Sequence, residues 1–133
     1  MLLASAICSC SEKQPATTEP MITKTEIQVE NGHFTPEIMH RLGKVGDPQL
    51  SPNYGKILYG VSYTSIEQNK GNRELFLMNA DGTENVKLTS TPKSESNARW
   101  INDSQIIYMR GGKLYTATIE GSALKNEKEV AGA

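Results

Sequence analysis

A degenerate repeat constrains this chain more than any other feature. Asp47-Pro48-Gln49-Leu50-Ser51-Pro52 runs through Gly55 and Lys56 into the apolar run Ile57-Leu58-Tyr59, and Ala98-Arg99-Trp100-Ile101-Asn102-Asp103-Ser104-Gln105 runs in the same way into Ile106-Ile107-Tyr108. The alignment sets Leu50 opposite Trp100 and Tyr59 opposite Tyr108. After each copy comes a second strand that ends in a tight turn: residues 75–78 before Asn79-Ala80-Asp81-Gly82-Thr83, and residues 114–119 before Glu120-Gly121-Ser122. A small sheet that recurs at such a spacing must cover its faces with its own copies, because alone it leaves apolar faces and unpaired edges in water.

A spacing of about 40 to 50 residues is the period of β-propeller blades. Each blade is a four-stranded antiparallel sheet covered by its neighbours, and about four to eight of them close a ring. The expected fold is therefore all-β: a partial β-propeller of about two blades, preceded by a flexible leader and one short helix. Leu50 and Trp100 are expected at equivalent, buried positions of successive blades. Strand faces left without a covering sheet make self-association of the isolated chain an expectation as well.

The 133 residues carry 14 basic and 15 acidic side chains, a net charge of −1. These charges are interspersed, with no basic stripe for nucleic acid and no cationic helix for a membrane surface, so neither partner class is supported. Three segments are expected: a leader at 1–10, a flexible tether at 11–32, and an incomplete propeller at 33–133 with a helix at about 36–42. Leu2-Leu3-Ala4-Ser5-Ala6-Ile7 is apolar but far shorter than the about 20 residues that span a bilayer. Ile7-Cys8-Ser9-Cys10, which follows it, resembles a bacterial lipobox. The resemblance implies lipidation and membrane anchoring through Cys10, since the small Ser9 precedes it, and hence a periplasmic or membrane-anchored lipoprotein. The pattern lacks the usual basic residue before the apolar run. Cys8 and Cys10 are too close for an unstrained disulfide, and with no other cysteine a thiolate zinc site is excluded.

Within the tether, Ile22, Ile27 and Val29 offer at most a short edge strand at residues 26–30. Thr35 then suits a helix N-cap, Pro36 the first helical position and Glu37 the positive end of the dipole. Ile38, Met39 and Leu42 are expected to face a core, His40 and Arg41 water, and Gly43 to stop the helix. His33 and His40 have no partner at ligand spacing. In the β region, Ile57, Tyr59, Val61 and Tyr63 alternate with Leu58, Gly60 and Ser62, and both faces of residues 74–79 are apolar. Asp81 suits a type I turn, with Gly82 taking positive φ after it. Gly55 and Gly121 mark the corresponding turns elsewhere in the repeat. Residues 62–72 read as a polar excursion on one rim, where the second copy has the tight Gly111-Gly112 turn.

Catalytic and cofactor motifs are absent from the sequence. Gly60-Val61-Ser62 begins a nucleophile-elbow pattern, but Thr64 stands where the second glycine is needed for the strained turn. Asn79 and Asp81 lack the further ligands of a calcium loop. No catalytic, cofactor-binding or metal residue is assigned, and no cofactor is implied.

Phe34-Thr35-Pro36-Glu37, the helix after it, and Val45-Gly46-Asp47-Pro48-Gln49-Leu50-Ser51-Pro52 resemble the opening of the propeller domain in prolyl oligopeptidase family serine peptidases, nearest the bacterial dipeptidyl peptidase and acylaminoacyl peptidase branch. The resemblance runs from Phe34 to about residue 131. The family's Ser-Pro-Asp-Gly turn appears as Ser51-Pro52-Asn53-Tyr54-Gly55, one residue longer. Met78-Asn79-Ala80-Asp81-Gly82 is shared with TolB-like periplasmic propellers. The family resemblance implies a propeller that caps a hydrolase domain and filters peptides on their way to its Ser, Asp and His. None of these three positions has a counterpart in this sequence, so the expected partners are peptide substrate, the hydrolase domain and the remaining blades. The alternative is a TolB-like scaffold that works through protein contacts.

Overall fold

A computed structural model describes residues 20–132. The leader with Cys8 and Cys10, and the first part of the tether, lie outside the described residues. One short helix, α1 (Pro36–Arg41), precedes β1 (Lys44–Leu50), β2 (Lys56–Ser65), β3 (Lys70–Asn79) and β4 (Val86–Lys87). The second set is β5 (Glu95–Trp100), β6 (Gln105–Arg110), β7 (Lys113–Glu120) and β8 (Ala123–Glu129). These form two four-stranded antiparallel sheets, each a simple meander in chain order. The fold is all-β, as the repeat requires.

The helix begins as its sequence dictates and ends differently. Thr35 is extended, and its Oγ1 accepts a hydrogen bond from the Ile38 N–H at 3.3 Å. At the other end Leu42 turns the chain extended (φ −66°, ψ 136°), without a left-handed glycine. Gly43 is needed for another reason: a Cβ there would lie 2.8 Å from Tyr63 Cε1 and 2.9 Å from Val61 Cγ1, so its absence lets the chain close onto β2. No helical residue is buried, and Met39 and Leu42 are exposed instead of facing a core. One turn and a half of helix presents too little surface to bury an apolar stripe. The edge strand near residues 26–30 does not form. Ile27 and Val29 share one face of an extended chain, but Val29 is exposed and no strand of either sheet pairs with this segment.

The polar stretch 62–72 is ladder, not loop. Ser62 pairs with Arg73, Tyr63 with Asn72, Thr64 with Gly71 and Ser65 with Lys70, leaving only a tight turn in which Asn69 takes φ 49°. Polarity misleads here because Tyr63 and Thr64 favour extended backbone despite their polar atoms. Arg73 then fastens three strands: it lies across Gly60 and donates to the Gly46 carbonyl at 3.0 Å and to Ser62 Oγ at 3.2 Å. A Cβ on Gly60 would sit 2.3 Å from its Cζ.

The two sheets match position by position. Each first strand carries a bulge, between Gly46 and Gln49 in one and between Ser96 and Arg99 in the other. Asp47 and Asn97 take the left-handed turn in them (φ 53° and 52°), a conformation that short polar side chains tolerate. Leu50 pairs with Ile57 as Trp100 pairs with Ile106. Tyr59 stacks on Phe76 across β2 and β3, centroids 5.6 Å apart, and Tyr108 on Tyr115 across β6 and β7 at 5.9 Å.

Stacking is by unlike faces. Ile106, Tyr108, Ala98, Ala117 and Ile119 of the second sheet pack on Leu58, Leu75 and Leu77 of the first, with Trp100, Val86, Leu88, Tyr115 and Leu124 around them. The expectation that Leu50 and Trp100 are both buried is therefore half corrected. Trp100 is half-buried in the inter-sheet core, whereas Leu50 is 48% exposed. Leu50 shares a face with Ile57, Tyr59 and Val61; Tyr59 and Val61 are buried there, so that face is covered at its centre and open at the Leu50 end. The outer face of the second sheet is the more open one: Ile107, Met109, Leu114 and Thr116 occupy the positions of Leu58, Gly60, Leu75 and Leu77, yet remain half-buried.

Candidate functional site

The turns singled out in the sequence gather on one rim. In the β1–β2 connection Tyr54 takes the left-handed conformation (φ 60°), while Gly55 donates its N–H to Asn53 Oδ1 at 3.0 Å. The Gly55 carbonyl accepts from the Ala80 N–H at 3.0 Å, tying this turn to the next one. There Gly82 has φ 86° and donates to the Asn79 carbonyl, and Asp81 Oδ1 accepts from Thr83 Oγ1 at 2.6 Å and from the Thr83 N–H at 2.9 Å. These Thr83 bonds hold the Asp81 carboxyl below its ordinary pKa. Gly121 (φ 62°) offers its carbonyl to Lys56 Nζ at 3.4 Å, and Asp103 Oδ1 accepts from the Asn53 N–H at 2.8 Å. Both contacts join the first sheet to the second. These contacts make the rim a set of cross-braced turns.

The sheets are also pinned at the bulges. Arg99 Nη1 lies 2.8 Å from Asp47 Oδ2, and the Trp100 indole N–H donates to the Gln49 carbonyl at 2.9 Å. Arg99 is the main reason that the Asp47 carboxyl stays below its ordinary pKa.

Toward the opposite rim lies a buried polar cluster that the motif search missed. Glu74 on β3 and Glu95 on β5 are both 0% exposed. Thr89 and Thr91 of the β4–β5 connection stand between them. Thr89 Oγ1 is 2.6 Å from Glu74 Oε2 and 3.2 Å from Glu95 Oε2. Thr91 Oγ1 is 2.6 Å from Glu95 Oε1, and its N–H donates to Glu74 Oε1 at 3.0 Å. Asn72, buried beside them, donates to Glu74 Oε1 at 3.0 Å and to the Thr91 carbonyl at 2.9 Å. Arg110 on β6 completes the cluster, with Nε 2.6 Å from Glu95 Oε1 and Nη2 2.8 Å from Glu127 Oε1, its guanidinium over the rings of Tyr108 and Tyr115. The Tyr108 hydroxyl donates to Glu127.

Electrostatics follows burial. Loss of water raises the Glu74 carboxyl to about 7, with the neighbouring Glu95 adding to the rise and Thr89 and Lys87, 3.9 Å away, opposing it. Burial also raises the Tyr108 hydroxyl, reinforced by its bond to Glu127. At Arg110 burial disfavours the charge, but the Glu95 and Glu127 carboxylates outweigh it. The sequence did carry a signal: Glu74 sits directly before the apolar run Leu75-Phe76-Leu77-Met78, where a charge is costly unless paired. No group of three or more His, Cys, Asp or Glu able to hold a metal occurs among the described residues, and no helix there is long and apolar enough to cross a membrane. In the cluster two threonine hydroxyls lie against two buried carboxylates.

No family model matches the chain. It is 33% identical over 97 residues to the dipeptidyl-peptidase 5 of Porphyromonas endodontalis, covering 73% of this chain and 13% of that protein. To the dipeptidyl-peptidase 5 of Porphyromonas gingivalis it is 36% identical over 75 residues, 56% of this chain and 11% of that protein. The chain thus spans only a small part of the length of the curated relatives it matches, and over that part it is peptidase-related.

Proposed function

We propose that this chain is a non-catalytic propeller portion of a secreted serine peptidase of the dipeptidyl-peptidase type, gating peptides toward a hydrolase domain. One observation carries the reading: the stretch similar to dipeptidyl-peptidase 5 goes with two equivalent sheets stacked by unlike faces, the relation expected of successive blades. Its role is to shape the path of substrate, because bond cleavage needs a nucleophile, a base and an orienting acid together.

A chimera supplies the test. Replacing the matching segment of the P. gingivalis enzyme with this chain is expected to leave a folded protein that still releases dipeptides. The isolated chain is expected neither to hydrolyse dipeptidyl substrates nor to react with a fluorophosphonate. Stoichiometric labelling of a serine in the isolated chain would overturn the reading. So would a chimera that aggregates or loses activity, the result a TolB-like scaffold predicts. Anchoring through Cys10 belongs to the same proposal: Cys10→Ala should release the protein from membranes and Cys8→Ala should not, while equal partitioning of both variants and the parent would remove the anchor.

A further inference from the structure

The buried cluster between the sheets has fewer protons than its contacts require. Thr89 has one hydroxyl proton, yet its Oγ1 faces Glu74 Oε2 at 2.6 Å and Glu95 Oε2 at 3.2 Å while already accepting from the Leu75 N–H at 2.9 Å. Thr91 repeats the problem, with Oγ1 2.6 Å from both the Lys93 carbonyl and Glu95 Oε1. Two hydroxyl protons serve four acceptors. A carbonyl has no proton to give, so with both carboxylates ionised two of these contacts would set lone pair against lone pair. One additional proton on the carboxyl pair satisfies a further contact and removes one of two like charges from a site without solvent.

We propose that Glu74 and Glu95 share one proton across Thr89, and that this proton is a pH-sensitive latch between the two sheets. Glu74 belongs to the first sheet and Glu95 to the second, so the shared proton bridges the stack itself. The surrounding charges do not replace it. Lys87 on β4 approaches Glu74 only to 3.9 Å, and Arg110 on β6 is divided between Glu95 and Glu127 of β8. Tyr108, the remaining titratable group facing the cluster, already gives its hydroxyl proton to Glu127. When the pair loses its proton to solvent, two buried anions face one hydroxyl and the β4–β5 connection loosens.

The sign follows from linkage. The folded state holds the Glu74 proton up to about pH 7, whereas an unfolded glutamate releases it near 4.5. The stabilisation is therefore complete below pH 4.5 and is lost as pH rises through 7. Between pH 4 and pH 8 the contribution of this group to the unfolding constant rises roughly 200-fold. The experiment is unfolding of the full chain as a function of pH, with carbon-13 titration of the glutamate carboxyls. The expected results are a Glu74 midpoint near 7 and a fall in melting temperature across that range that Glu74→Gln abolishes. If Glu74→Gln fails to fold, Glu95→Gln and the carboxyl titration of the parent chain decide. A Glu74 midpoint at or below 4.5 would overturn the proposal. So would a melting profile of Glu74→Gln that falls with pH as steeply as the parent's.

Discussion

Trp100 and Leu50 occupy the same place in the two copies of the repeat, so truncating each to alanine isolates what a covering sheet contributes. Fully buried Trp→Ala substitutions cost about 3–5 kcal/mol. Trp100 is half-buried and also donates across the sheets to the Gln49 carbonyl. Scaling the packing loss and adding about 1 kcal/mol for the hydrogen bond gives about 2–3 kcal/mol for Trp100→Ala. Leu50 is nearly half exposed and leaves no enclosed cavity, so Leu50→Ala is expected to cost about 1 kcal/mol or less. Urea unfolding followed by far-ultraviolet circular dichroism, at low micromolar concentration to suppress association, reads the difference. With a slope of about 1 kcal/mol per molar urea, Trp100→Ala should lower the midpoint by about 2–3 M and Leu50→Ala by about 1 M or less. Equal shifts at unchanged slope would refute the claim that Leu50 lacks the cover that Trp100 enjoys.

Gly82→Ala and Gly121→Ala should each cost about 1–2 kcal/mol in the same assay, because both positions hold left-handed backbone that a Cβ disfavours; neutral substitutions would show that these turns relax. Arg110→Met should destabilise by about 3–5 kcal/mol at pH 7 by leaving the buried Glu95 carboxylate without its cation, and Glu95→Gln in that background should recover part of the loss. Sedimentation of the isolated chain should show concentration-dependent association, since Ile107, Met109 and Leu114 on the outer face of the second sheet and Leu50 on the first stay partly exposed and the net charge is only −1; a clean monomer at high concentration would count against that reading.

Most of the architecture was legible because it rests on periodicity. Alternation at residues 57–63, the Asp81-Gly82 turn and the Gly111-Gly112 turn each follow from local backbone preferences that the tertiary structure leaves in place. Polarity was the less reliable guide. Residues 62–65 and 70–72 are polar yet paired, because Tyr63 and Thr64 favour extended backbone, and Arg73 adds a tie to Ser62 and the Gly46 carbonyl that no local pattern announces. Burial of Leu50 was misjudged because it depends on what lies against the sheet, not on the strand itself. The Glu74–Glu95 pair escaped notice for a related reason: the residues are 21 positions apart, and only the crossing from β4 to β5 brings them together.

The stacking of unlike faces gives the molecule a direction. A surface bearing Ile106 and Tyr108 packs on one bearing Leu58, Leu75 and Leu77, so the two faces in contact are different ones. A stack extended by this same contact grows head to tail, because the two faces that it joins differ. Each added sheet must enter with the same sense as the one before, and the rotation per step alone decides between a closed ring and an open filament. The inter-sheet contacts at Asp47–Arg99 and Gln49–Trp100 tie the sheets together at the bulges and so, with the packed core, take part in fixing that rotation.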